Sequence, residues 1–215
     1  AINAFESYLS YYPNGLFWLE ANYFLYKSHE SLGDLEAAIE ILRSIVNDSE
    51  HKYTVDALFN LGRISYELGK FISSEEYFSK LSTIASEIAI KKKALLGLLE
   101  SKFQLYKYNE IVDLISGLSK DGLFSGKDDL RIRYLHAVSL YKINRNKDSL
   151  SEFRWLLENT EGDLKAEAFY YTSLLLYHSG LYADSQKYIF QLLNELPTYK
   201  IWVEKSLLIL AKNYI

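Results

Sequence analysis

The residues of this chain that could do chemistry are few and far apart. Its four histidines, His29, His51, His136 and His178, include no pair at the i, i+4 spacing that sets two imidazoles on one metal ion. Cysteine is absent, which excludes disulfides and thiolate metal sites. The stretch Gly122 to Asp128 echoes a phosphate-binding loop, but it is one residue short, has no Ser or Thr to hold magnesium, and follows no strand. Glu75 and Glu76, like Asp128 and Asp129, are neighbours in sequence, so on a helix they diverge by about 100° and form no acid/base pair. Nothing here supports catalysis, and the residues imply neither cofactor nor metal. Lys91-Lys92-Lys93 is the one sizeable run of positive charge. It reads as the solvated start of a helix, with an anionic-partner contact as the alternative.

Tyrosine is the unusual residue: there are 19, a type that buries a large ring while its hydroxyl keeps a polar contact, and that is enriched at binding surfaces. Hydrophobic residues make up 49% of the 215, enough for a continuous core. Charged residues at 24% and a net charge of -4 leave no footprint for nucleic acid. No apolar run approaches the roughly 18 residues of a membrane span; Leu207 to Ala211 is far too short. The first residues, Ala1 to Glu6, are not a signal peptide and open in mid-pattern, so the chain is expected to be a piece of something longer.

The elements that position these side chains follow from a repeat. Leu25 to Leu35 and Leu61 to Phe71 both run as an apolar helix to a leucine, then a glycine, a polar and an apolar residue. Copies turn on residues 106, 144 and 180, giving turns at Gly33, Gly69, Tyr106, Asn144 and Gly180 with spacings of 36, 37, 38 and 36. Each period reads as two helices. Past the turn, positions five, nine and twelve hold Ala38, Leu42 and Ile45 in one repeat and Ser74, Phe78 and Leu81 in the next. Seven before it lies a slot for small residues, such as Gly62, Ala137 and Ser173, where a bulky substitution costs about 1–3 kcal/mol by overpacking. Glycine or asparagine suits a left-handed helix cap; Tyr106 does not, so that turn is expected to differ in geometry. Gly117 to Asp129, with three glycines, reads as a longer loop.

The pattern resembles the tetratricopeptide repeat family across essentially the whole chain. Leu58, Leu61, Gly62, Tyr66, Gly69, Phe71 and Phe78 carry the likeness in one repeat; Phe169, Ser173, Tyr177, Gly180, Tyr182 and Pro197 carry it in another. The spacing exceeds that family's usual 34 residues by two to four. With Tyr12-Pro13-Asn14-Gly15 before a helix, it looks like the bacterial envelope branch of outer-membrane assembly lipoproteins and cell-division coordinators, which points to the periplasm or envelope over the cytoplasm. The resemblance implies an all-α, right-handed α-α superhelix of about twelve antiparallel helices. Residues 1–215 read as one solenoid segment: five complete repeats over about 15–197, flanked by half repeats 1–14 and 198–215.

In such a fold the first helices line a groove that receives peptides or partner helices. Ten residues before each turn stand Tyr23, Phe59, Leu96, Tyr134 and Tyr170; three before it stand Glu30, Tyr66, Phe103, Tyr141 and Tyr177. Residues seven apart share a helix face, so the aromatic members form a ladder: Tyr23, Phe59, Tyr66, Phe103, Tyr134, Tyr141, Tyr170 and Tyr177 are the candidate partner-binding residues. The ordinary alternative is that the rings pack the repeats together. Inward charge runs from Glu20, Lys27, Glu30, Asp56, Arg63 and Glu67 (two positive, four negative, net -2) to Lys93, Glu100, Arg131, Lys142, Glu167, Lys205 and Lys212 (five positive, two negative, net +3). The expected function is a non-catalytic scaffold binding a protein or peptide, with no nucleic acid and no membrane span. A spacer or self-association segment of a larger envelope protein, or a regulatory solenoid joined to an enzyme, is the alternative.

Overall fold

The computed structural model describes residues 1–47, 51–120 and 130–214. Among these residues the chain forms twelve helices and no strand: α1 (Ile2–Tyr11), α2 (Trp18–Ser31), α3 (Leu35–Asn47), α4 (Thr54–Glu67), α5 (Phe71–Ile84), α6 (Ile88–Gln104), α7 (Tyr108–Lys120), α8 (Leu130–Lys142), α9 (Asn146–Asn159), α10 (Gly162–His178), α11 (Tyr182–Glu195) and α12 (Lys200–Lys212). It packs as two compact units, Ala1–Tyr106 and Lys107–Ile215. In the first, α3 lies against α2 and α4, and α5 against α4 and α6; in the second, α9 lies against α8 and α10, and α11 against α10 and α12.

The repeat positions do what their spacing requires. Ala38, Leu42 and Ile45 of α3 are fully buried, as are Ser149, Phe153 and Leu156 of α9 and Ser185, Ile189 and Leu192 of α11. These are the residues five, nine and twelve past a turn, one stripe of an amphipathic helix facing its neighbours. Pro13 follows the end of α1 and Pro197 the end of α11, where a proline ring and the residue before it break helical geometry.

All five turns place a residue in the left-handed region. Gly33, Gly69, Tyr106, Asn144 and Gly180 have φ of 77°, 72°, 59°, 61° and 74°. The N–H of each donates to the carbonyl three residues back, from Gly33 N to Glu30 O through Gly180 N to Tyr177 O. At Gly33, Gly69, Asn144 and Gly180 the next residue's N–H reaches back five positions in the paired bond of a Schellman cap, as in Lys70 N to Ser65 O. Tyr106 shares the positive φ and the three-residue bond of the other turns, although its type does not favour them. Its side chain is 77% exposed, and a left-handed non-glycine costs roughly 1–2 kcal/mol through its Cβ and the following carbonyl.

The small-residue slot has a polar use that spacing alone did not reveal. The hydroxyls of Ser74, Ser149 and Ser185 donate to the carbonyls of Gly62, Ala137 and Ser173 at 2.8, 2.8 and 2.9 Å. The same twelve-residue tie thus joins the two helices in three of the repeats, each bond a net contribution of about 1 kcal/mol. The expected loop is shorter at its start than predicted, because α7 runs through Gly117 to Lys120. Gly117 is exposed, a lone helical glycine costs only about 1 kcal/mol, and Ile111, Val112 and Ile115 hold the helix to its core. The remainder of that stretch, with the phosphate-loop echo and Asp128-Asp129, lies outside the described residues.

Candidate functional site

Phe59, Arg63 and Tyr66 share one face of α4, at i, i+4 and i+7; Lys93, Leu96, Gly97 and Glu100 share one face of α6 at i, i+3, i+4 and i+7. With Phe78 of α5 they enclose an open cleft of about 240 Å³. Phe78 is 5% exposed and forms its floor, with the Phe59 ring edge-on at 6.1 Å. A β-carbon at Gly97 would stand 2.5 Å from the Phe78 ring, and one at Gly62 2.9 Å from it. The ring is thus held between two helix backbones at positions where only glycine leaves room, and the space above it stays open.

Charged groups rim this apolar floor. The Arg63 guanidinium bonds the Glu30 carboxylate of α2 and, at 3.3 Å, Glu67 on its own helix. Lys93 is exposed and makes no ion pair among the described residues. The Tyr66 hydroxyl accepts from Gln104 Nε2 at 3.1 Å, while its ring meets Phe71 edge-on at 5.2 Å.

The other predicted rings are half-buried and engaged with their own unit. Tyr23 stacks on Tyr53 at 4.2 Å and donates from its hydroxyl to Asp56 Oδ2 at 2.9 Å; burial first, and the Asp56 carboxylate next, push its pKa up to about 12. Tyr134 repeats the arrangement, donating to Glu167 Oε1 at 2.9 Å, again to a side chain 33 residues on. Burial and the Glu167 charge hold that phenol well above its usual range. Glu167 is only 9% exposed, and burial raises its carboxyl pKa although the Tyr134 bond opposes the shift. Tyr141 and Tyr170 both meet Tyr171 edge-on, at 5.4 and 5.1 Å, and Tyr171 stacks on Phe153 at 4.7 Å with 9° between the planes. Tyr170 also faces Trp202 at 5.7 Å, where Lys205 Nζ sits 4.2 Å from the indole centroid. Tyr177 packs on Tyr182 at 5.6 Å, the relation Tyr66 has to Phe71. Phe103 is half-buried on α6.

Sequence reasoning missed Gly97 and Phe78 as parts of a site, and Tyr171 and Trp202 as parts of a ring cluster. A signal existed: Gly97 and Tyr171 each stand nine residues before a turn, and each meets the phenylalanine nine past the preceding one. The histidines serve local structure, as when His51 Nε2 bonds the Ile45 carbonyl at 2.9 Å and His29 pairs with Asp34 at 3.0 Å. Among the described residues no three His, Asp or Glu side chains converge as metal ligands, and no helix is long and apolar enough to cross a membrane.

A tetratricopeptide repeat family model matches residues 134–192. No curated protein matches the chain in sequence. Among solved structures, YrrB, described as a TPR protein with an unusual peptide-binding site, superposes with a TM-score of 0.68 at 14% identity, over 95% of this chain and 98% of that one. TTC0263, a thermophilic TPR protein of Thermus thermophilus, does so with a TM-score of 0.53 at 12% identity, over 90% of this chain and 99% of that one. The family match and these neighbours agree on a tetratricopeptide-like helical solenoid, a fold that generally mediates protein–protein interaction.

Proposed function

We propose that this chain is a non-catalytic scaffold that holds a protein partner by taking one of its apolar side chains into the cleft between α4 and α6. The observation that carries the reading is the open, apolar floor over Phe78, kept clear by Gly97 and Gly62. A cleft of about 240 Å³ is below the roughly 300–1,000 Å³ of small-molecule pockets, so it suits a single side chain of a larger partner. Covering Phe59, Phe78 and Leu96 with one large apolar side chain contributes about 1.5–3 kcal/mol, the size of an interface anchor. The likeness to a structure described as having a peptide-binding site supports the reading. Among the sequence candidates it favours Phe59 and Tyr66, which line this cleft.

Selection of peptides from a random library on the immobilised chain tests this. Recovered peptides should share one large apolar residue and lose about tenfold or more in affinity on Leu96→Glu, which sets a charge on the wall. Phe190→Ala, at an exposed ring of α11, should change nothing. Peptides that bind Leu96→Glu as well as the parent chain contradict the proposal.

A further inference from the structure

We infer that the cleft selects a peptide segment in which an acidic residue flanks the inserted apolar side chain, and that Lys93 is the group that reads the acid. The inference rests on the cleft being the binding site, and adds to it the chemistry of the occupant. The rim charges are not equivalent. Arg63 points at the cleft from α4, but its guanidinium is already held by Glu30 and Glu67. Glu100 lies seven residues along α6 from Lys93, roughly 10 Å at 1.5 Å per residue. Lys93 is the exposed lining cation without an ion pair among the described residues. It also ends the Lys91-Lys92-Lys93 run, of which it is the member that lines the cleft. An apolar side chain over Phe78 places the partner's adjacent residues along this rim, where a carboxylate gains a charge-assisted bond with Lys93.

The separation of roles is what makes the selection specific. Phe59, Phe78 and Leu96 set the apolar requirement; Lys93 sets the sign of the neighbouring charge. A rim cation steers and discriminates more than it adds affinity, so its effect should be modest, salt-dependent and reversible in sign.

An array of N-acetylated, C-amidated octapeptides with a central Leu, Phe or Ser, flanked by Asp, Asn or Lys, tests it by fluorescence anisotropy with the whole chain. Asp-flanked Leu or Phe peptides should bind about fivefold tighter than their Asn-flanked counterparts at low salt, and the gap should close as ionic strength rises. Lys93→Ser should abolish the Asp preference and keep the preference for Leu or Phe over Ser. Lys93→Glu should turn the preference to Lys-flanked peptides; the side chain is exposed, so the helical signal should be unchanged in both variants. Equal affinity for Asp and Asn flanks, with the Leu or Phe preference retained, overturns the acid selectivity and leaves the cleft standing. Binding to no peptide, or without preference for Leu or Phe over Ser, overturns both.

Discussion

The two units place a phenylalanine at the same repeat position and treat it in opposite ways. In the first, the Phe78 ring meets Gly97, and the space above it is open. In the second, the Phe153 ring meets Tyr171, stacked at 4.7 Å, and Tyr141 and Tyr170 close around that tyrosine. One residue nine places before a turn thus separates a cleft from a packed ring cluster. Aromatic richness alone does not mark a binding face: the second unit packs Tyr141, Tyr170 and Tyr171 around Phe153, and the first leaves the space above Phe78 open.

Tyr171→Ala should have the largest effect, because it removes a ring from the packed cluster. A loss of about 3 kcal/mol is expected, read from the midpoint of urea unfolding; a change under about 1 kcal/mol would mean the cluster is surface decoration. Gly97→Ala is the reciprocal test and should cost about 1–3 kcal/mol, since the added methyl group overlaps the Phe78 ring. Adding Phe78→Leu should recover much of that loss, and a double variant no more stable than Gly97→Ala alone would locate the strain elsewhere.

Smaller still is Tyr106→Gly, which should gain at most about 1 kcal/mol by removing a β-carbon from a left-handed turn. A lower melting temperature for the variant would show that the tyrosine side chain outweighs its backbone strain.

The last test probes the Tyr134–Glu167 pair through pH. Burial raises the Glu167 pKa, so the folded state holds that proton more tightly than the unfolded one. Stability is therefore lost as pH rises from the ordinary carboxylate range through the raised value, and the whole penalty is present above it. Glu167→Gln keeps an acceptor for Tyr134 and should raise the melting temperature at neutral pH, with the gain shrinking as pH falls through that window. The gain is small because the Tyr134 hydroxyl already offsets part of the burial. An equal gain for Glu167→Gln at acid and neutral pH would contradict the assignment.

The helices and their turns are legible in the sequence because they depend on local rules: apolar stripes at helical spacing, and glycine or asparagine where φ turns positive. Tyr106 takes a left-handed turn despite its type because residue type reports a cost of only roughly 1–2 kcal/mol, which the helices on either side of the turn outweigh. Phe78 reads as core, which it is by burial, but its ring is also the floor of a cleft. Seeing that requires Phe59, Gly62 and Gly97, from two helices either side of it, to be placed around it. Tyr23 and Tyr134 are candidates for a partner by type and spacing; their hydroxyls are committed to Asp56 and Glu167, partners 33 residues away that the face assignment sets nearby without pairing.

If the uncovered floor in the first unit is where a partner side chain enters, photo-crosslinking will find it most directly. The probe is a library-selected peptide whose apolar anchor is replaced by a benzophenone amino acid, with mass spectrometry to locate the adduct. Adducts are expected within residues 59–66 and 93–100. Adducts confined to residues 134–141 and 170–177 would contradict the cleft and return the binding role to the rings of the second unit.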